Sequence, residues 1–358
     1  MIRRGGQFGV RCASSSSSVA AAAVPSHHPL VPSLPMLGMG TADNDAGDEA
    51  MASAVHAAAA LHGVRLFDTA QNYGSEAALA EGLRRAALPR SALYLSAKVD
   101  LCSPEREDPA ARVRRQVAST LDNLRCAGVG VGAAAHALDS VVIHWPICLD
   151  DAAADHGAAR RGAWGALEAL VAEGTVGSIG VSNWTAPLLG ELLAHAVVRP
   201  AVNQVEFSPA CYQRELLRAC GAAGVAVVGY SPYGQCWMGK HWTEHVAWGG
   251  AGAGTPLLEH EEVRAVAAAA GEGVTPAQVL LRWCLQRGVV AIPKSVKPDR
   301  IAEAMRAVGG SSAGAGIHLA DELMARLDAL NDPRRGTEAA LEAHLRVMAS
   351  EEYEWEPT

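Results

Sequence analysis

Four side chains in the first half of the chain could together move a proton: Asp68, Tyr73, Lys98 and His144. Asp68 closes the apolar run 64–67, and Tyr73 follows it in a loop beside Gly74. Lys98 closes the next apolar run, 93–97, and His144 closes a later one, 140–143. An unperturbed phenol has a pKa of about 10. To donate a proton near neutrality it needs a cation close by to stabilise the phenolate. Lys98 would be that cation, Asp68 would hold the ammonium in place, and His144 could hydrogen-bond a substrate oxygen. Such a set suits protonation of a carbonyl oxygen as a hydride arrives at its carbon, a general-acid step that contributes roughly 10²–10⁴-fold. Taken singly, each residue has an ordinary explanation. An Asp after a strand caps a helix, a loop Tyr is half-buried, a strand-end Lys is solvated, and a lone His is a core imidazole. The functional reading rests on all four standing at the ends of strand-like runs.

The elements that must position them alternate regularly. Strand-like runs at 35–41, 64–67, 93–97, 140–143, 176–181, 201–205, 225–229 and 289–292 are each followed by a helix-like stretch. The helical stretches fall at 48–61, 75–87, 110–124, 163–172, 186–195, 214–223, 261–270 with 276–286, and 300–307. A further helix is expected at 321–330. Asp43, Asn44 or Asp45 is available to cap the first helix. Repeated strand–helix units of this length build a parallel sheet, open or closed. No strand–GxGxxG–helix unit occurs near the start. Polar residues close nearly every run: Asp68, Lys98, His144, Asn183, Gln204, Tyr230 and Lys294. In a (β/α)8 TIM barrel all of these ends share one rim, whereas in an open sheet only those at the switch point converge. The expected fold is therefore the α/β class, a single-domain (β/α)8 barrel over residues 34–332. Residues 1–33 form a leader and 333–358 a C-terminal tail.

Composition limits the partners. The chain has 358 residues and a formal net charge of −8, with no long basic stripe, which argues against a nucleic-acid surface. No strongly apolar run reaches the about eighteen residues a membrane span needs. The eight cysteines are scattered without a C-x-x-C pair, which reads as free thiols in a reducing compartment. The N-terminus is rich in Arg, Ser and Ala, and Asp43 is its first acid, the composition of an organelle transit peptide. The serine run favours a plastid address, with a mitochondrion or the cytoplasm as alternatives. The chain carries no dimerisation signal and reads as a monomer.

Longer segments bring the chain close to a known family. GVRLFDTAQNYGSEAALAEGL (63–83), Lys98 after LYLSA, VVIHWP (141–146), GTVGSIGVSNW (174–184), VNQVEFSP (202–209), VVGYSPYG (227–234) and IPKSVKPDRIAE (292–303) resemble the aldo-keto reductases. That family consists of NAD(P)H-dependent carbonyl reductases on a (β/α)8 barrel. The resemblance implies a catalytic tetrad of Asp68, Tyr73, Lys98 and His144, with Tyr73 as proton donor to a small-molecule carbonyl substrate. It implies that Ser182, Asn183 and Gln204 hydrogen-bond a nicotinamide carboxamide, that Tyr230 stacks on the ring, and that Thr41 and Ser231 lie near the cofactor. Lys294, Ser295 and Arg300 match positions that grip the 2′-phosphate of NADPH, with Glu303 near the adenosine. A Lys–Arg pair suits a dianionic phosphate, so the expected cofactor is NADPH/NADP+.

The chain departs from the family pattern at Ala42, Asp100 and Ala304, where larger or different residues are common, so the pocket wall is less aromatic although Trp145 remains. The stretches 126–137 and 235–256 are atypical. Within the second, His241-Trp-Thr-Glu244-His245 fits H-x-x-E-H, a zinc-peptidase pattern that needs both histidines on one helical face. Its Gly-rich surroundings predict no such helix, and no metal is expected. Two other functions remain to weigh against a reductase: a metal-dependent hydrolase on the same barrel, and a nucleotide-binding regulatory protein with little turnover.

Overall fold

The computed structural model describes residues 27–42, 46–102, 107–126, 137–148, 154–234, 256–308, 316–332 and 339. It opens with an antiparallel hairpin, β1 (His27–His28) and β2 (Val31–Pro35). Eight parallel strands follow in chain order. They are β3 (Gly38–Gly40), β4 (Leu66–Asp68), β5 (Tyr94–Val99), β6 (Leu138–Ile143), β7 (Val176–Ser182), β8 (Val202–Glu206), β9 (Ala226–Tyr230) and β10 (Val290–Ala291). Each pairs with its neighbour in sequence. The two outer strands meet as well: Leu37 bridges Ala291 in parallel, Ala291 N donates to Met36 O (3.0 Å), and Gly40 N donates to Pro293 O (3.1 Å). The sheet is thus the nearly closed barrel expected from the sequence.

Among the described residues ten α-helices surround it. These are α1 (Asp48–His56), α2 (Glu76–Ala86), α3 (Pro109–Cys126), α4 (His156–Ala172), α5 (Ala186–Leu193), α6 (Arg214–Ala223), α7 (Glu261–Ala270), α8 (Pro276–Gln286), α9 (Pro298–Val308) and α10 (Asp321–Asp328). Local chemistry starts several of them. Thr185 accepts from Leu188 N at the head of α5, and Thr275 forms a capping box with Gln278 ahead of Pro276 in α8. The buried Glu76 at the start of α2 accepts from Thr120 Oγ1 (2.6 Å) and Asn123 Nδ2 (2.7 Å), which ties α2 to α3.

The barrel is filled, as side chains from neighbouring strands must share its interior. Gly38 and Gly180 make this possible, because a Cβ on either would lie 2.4 Å from Leu66 Cγ or 2.5 Å from Val202 Cγ2. At the N-terminal end the hairpin acts as a plug. Leu34 faces Leu66, Tyr94, Val202 and Val228 inside the barrel, and the His28 Nε2–H donates to Gly288 O (3.0 Å).

Several local expectations change. Residues 31–41 divide between the plug strand β2 and the barrel strand β3, because the chain must turn at Met36 and Leu37 from one to the other. The second helix of the pattern, 75–87, forms as α2, while the first continues beyond α1 as a π turn, Ala57–Leu61. α4 starts at His156 rather than 163. Asp155 caps it by accepting from Ala158 N, and its first two turns carry Gly and Arg in place of an apolar repeat. The reading of all cysteines as free thiols is overturned: Cys102 and Cys148 form a disulfide, with Cα atoms 5.0 Å apart. Spacing along the chain could not show this, since the two lie in different strand–helix units. Cys211, Cys220 and Cys284 are buried and outside it. The proposed helix caps 43–45 and the H-x-x-E-H stretch lie outside the described residues.

Candidate active site

The ends of β4, β5 and β6 bring the four candidate residues together. Asp68 is the last residue of β4, and Lys98 lies near the end of β5. His144 follows β6 directly, and its N–H donates to Val99 O (2.8 Å), which fixes the backbone of one strand end against the other. Tyr73 sits on a short 3₁₀ turn, Gln71–Tyr73, ended by Gly74 at φ 63°, where the left-handed backbone favours glycine. The Tyr73 hydroxyl lies 3.4 Å from His144 Nε2, and Lys98 Nζ lies 5.1 Å from the Tyr73 ring centre. Lys98 Nζ donates to Asp68 Oδ1, and both side chains are almost wholly buried.

Electrostatics explain the pairing. Burial pulls the Lys98 ammonium down, but Asp68 and the Tyr73 oxygen outweigh it and hold its pKa above the ordinary value. Lys98 is therefore a permanent cation beside the phenol. Burial pushes the Tyr73 phenol up, Lys98 pulls it down, and Asp68 and Asp100 add to the rise. The cation that the sequence called for is present and acts in the expected direction. In the protein alone, however, burial outweighs it.

All but Thr41 of the remaining sequence-predicted residues line two clefts. The first is small and polar, and its wall includes Tyr73, His144, Trp145, Ser182, Asn183, Gln204, Tyr230 and Ser231. Its side chains are already engaged with each other. Gln204 Nε2 donates to Asp68 Oδ2 (2.9 Å), Ser182 Oγ to Gln204 O (2.9 Å), Asn183 Nδ2 to His144 O (3.1 Å), and Tyr230 OH to Asn183 Oδ1 (2.9 Å). Asn183 (φ 63°) and Ser231 (φ 50°) both adopt left-handed backbone at this wall, a conformation rare for side chains other than glycine. Thr41 does not reach the cleft surface. It is fully buried, donating to Asp68 O (3.1 Å) and accepting from Ser75 Oγ (2.9 Å), so its part is to brace the end of β4.

The second cleft is wider. Lys294, Ser295, Arg300 and Glu303 line it with Tyr233, Thr275 and Met39. Its lining and that of the first cleft include neighbouring residues, Met39 and Gly40 in β3 and Pro293 and Ile292 just after β10. Arg300 stands in the first turn of α9, an end where backbone N–H groups favour an anion. Glu303 is held back by Thr275 Oγ1, which donates to its Oε1 (2.5 Å).

A sequence model described as the Aldo/keto reductase family matches residues 36–332. The chain belongs to the aldo-keto reductase family. Aldo-keto reductase family 1 member A1 of Cricetulus griseus is 34% identical over 317 residues, covering 83% of this chain and 86% of that one. An uncharacterized oxidoreductase, YtbE, of Bacillus subtilis (strain 168) is 32% identical over 307 residues, covering 84% and 91%. Among solved structures, an aldose reductase from Giardia lamblia superimposes with a TM-score of 0.63 at 26% identity, covering 82% of this chain and 90% of that one. This aldo-keto reductase is accordingly an oxidoreductase that acts on carbonyl groups with a nicotinamide cofactor.

One neighbour of the site carried no role in the sequence reading. Asp100, noted only for replacing a larger residue, places Oδ1 3.4 Å from His144 Nδ1. The alternation of a strand gives the signal that could have found it, since residues 94, 96, 98 and 100 share one face.

Proposed function

We propose that this protein reduces an aldehyde or ketone to the alcohol with NADPH, and that Tyr73 donates the proton. The observation that carries the reading is the buried Lys98–Asp68 pair beside a phenol whose hydroxyl opens on the polar cleft. A carbonyl oxygen seated in front of Tyr73 OH would accept its proton, with His144 Nε2 3.4 Å from that hydroxyl. Lys98 favours loss of the phenolic proton, Asp68 keeps Lys98 fixed, and Trp145 excludes water from one wall.

The two clefts together offer groups suited to the two ends of a dinucleotide. Ser182, Asn183 and Gln204 present amide and hydroxyl groups to a carboxamide in the polar cleft, and Tyr230 presents a ring for stacking. Lys294, Ser295 and Arg300 suit a phosphate at the start of α9. When bound, the reduced nicotinamide supplies the hydride to the carbonyl carbon. The acid-poor N-terminus is proposed as a plastid leader, to be checked by import of a fluorescent fusion.

The test is NADPH oxidation with a panel of aldehydes and ketones, comparing the parent with Tyr73→Phe. The parent turns over at least one of them, and Tyr73→Phe loses roughly 10²–10⁴-fold in kcat while NADPH still binds. Equal, negligible rates with tight NADPH binding would instead support a nucleotide-binding regulatory protein.

A further inference from the structure

Asp100 and His144 belong to different strand ends, and both are held there from behind. The Asp100 backbone N–H donates to Oε1 of the buried Gln116 on α3 (2.9 Å). Two residues further on, Cys102 is bonded to Cys148, so the loops after β5 and β6 are joined covalently. His144 is fixed by its own N–H on Val99 O and by Asn183 Nδ2 on its carbonyl. Its ring lies near that of Trp145, centres 6.0 Å apart and 24° from parallel. In this position the two ring nitrogens face different residues. Nε2 faces the Tyr73 hydroxyl at 3.4 Å, and Nδ1 faces Asp100 Oδ1 at 3.4 Å.

Nδ1 is buried and makes no formed hydrogen bond among the described residues. Its approach to Asp100 is longer than the 2.7–3.2 Å of a formed N–H···O bond, as catalytic contacts commonly are before substrate binds. A small turn of the carboxylate closes the gap. A bare acceptor is also the wrong nitrogen to face a carboxylate, so the geometry calls for a hydrogen on Nδ1.

We propose that Asp100 is a positioning residue for the reaction, accepting the Nδ1–H of His144 so that Nε2 is left to exchange a proton with Tyr73. The proposal rests on the reading of Tyr73 as proton donor. In the reducing direction the Tyr73 O–H bond breaks as its proton passes to the substrate oxygen; the bare Nε2 then takes a proton from solvent and passes it to the phenolate, so the ring returns to its Nδ1–H form. In the oxidising direction the phenol takes the alcohol proton and Nε2 takes the phenol's. Asp100 keeps its own proton count throughout and balances the charge of the ring when both nitrogens carry hydrogen. The row carboxylate–imidazole–phenol runs from α3 inward to the cleft. The charged groups that face it are Arg112 and Lys98 toward Asp100, and Lys98 with Asp68 toward Tyr73. Burial pushes the Asp100 carboxyl up, but His144, Arg112 and Lys98 outweigh it and hold it below the usual carboxylate range.

The test reads the ring directly. Long-range ¹⁵N–¹H NMR of the full chain labelled at histidine, with His144→Gln used for assignment, reports which nitrogen carries hydrogen. The parent shows the Nδ1–H tautomer; Asp100→Leu loses this preference, and its kcat falls about tenfold or more with a displaced pH limb while NADPH affinity holds. Asp100→Asn keeps an acceptor on Nδ1 without the charge, so it retains the tautomer and shifts only the pH limb, and it serves if Asp100→Leu fails to fold. An Nε2–H tautomer in the parent overturns the proposal, as does a tautomer and pH profile indifferent to both substitutions. Because the tautomer is read without turnover, a parent that reduces no carbonyl but shows an Asp100-dependent Nδ1–H would sink the reductase reading and leave the positioning role standing.

Discussion

The rim of the barrel has two unlike sides. On the β4–β5–β6 side the strand ends are tied side chain to side chain: Lys98 to Asp68, Asp100 facing His144, and Cys102 bonded to Cys148. On the β10–β3 side the strand ends meet through backbone, Gly40 N on Pro293 O, and a wide groove opens beside them, with Lys294 and Arg300 on its edge. The difference matches what each side has to do. Proton transfer requires heavy atoms held at hydrogen-bond distances, so the donor side is cross-linked. A large dianionic ligand requires room and positive charge, and its fit tolerates some movement of long side chains.

Substitutions on each side should fail in different ways. The largest effect is expected from Lys98→Met. It leaves the Asp68 carboxylate buried without its cation, with Gln204 Nε2 still donating to it. Losing one member of a buried pair costs about 3–5 kcal/mol, so urea unfolding should shift to a much lower midpoint and carbonyl reduction should be lost. A midpoint unchanged from the parent would mean that the pair does not tie β4 to β5. The next effect is smaller. The Cys102–Cys148 bond closes a loop with a sequence separation of 46, and a disulfide of this kind stabilises by about 2–4 kcal/mol. Unfolding in the presence of a dithiol reductant, or of Cys102→Ser without it, should therefore occur at a lower midpoint; identical curves would show the link to be dispensable. The smallest effect belongs to the open side. Arg300→Ala removes one exposed, screened contact worth about 1–2 kcal/mol, or roughly 5- to 30-fold in the Kd for NADPH. The Kd for NADH should be unchanged, and an equal loss for both would remove Arg300 from the phosphate site.

Much of this division was legible in the sequence, for identifiable reasons. The barrel follows from the repeat of apolar run and helix, and the convergence of Asp68, Tyr73, Lys98 and His144 follows from polar residues closing successive runs. Long-range pairings left no such trace. Cys102 and Cys148 are brought together only because β5 and β6 are neighbours. The plug strands around Leu34 are too short and too proline-rich to show a period. α4 begins on Gly and Arg, which carry no apolar repeat, and only the Asp155 cap marks its start. Thr41 sits where a cofactor contact was expected, but its hydroxyl is taken by the backbone of Asp68, a bond fixed by the register of β3 against β4. Asp100 was visible only as the loss of a larger side chain. Its approach to His144 needed the geometry of two strand ends.

The central claim is that one side of the rim moves a proton and the other holds the cofactor. It is tested most directly by measuring kcat and the NADPH Kd together for Tyr73→Phe and Arg300→Ala. The expected result is a crossed pattern: Tyr73→Phe loses roughly 10²–10⁴-fold in kcat at an unchanged Kd, and Arg300→Ala weakens Kd while kcat at saturating NADPH holds. If both variants lose kcat and Kd in parallel, or if Tyr73→Phe turns over as fast as the parent, the division of labour is wrong.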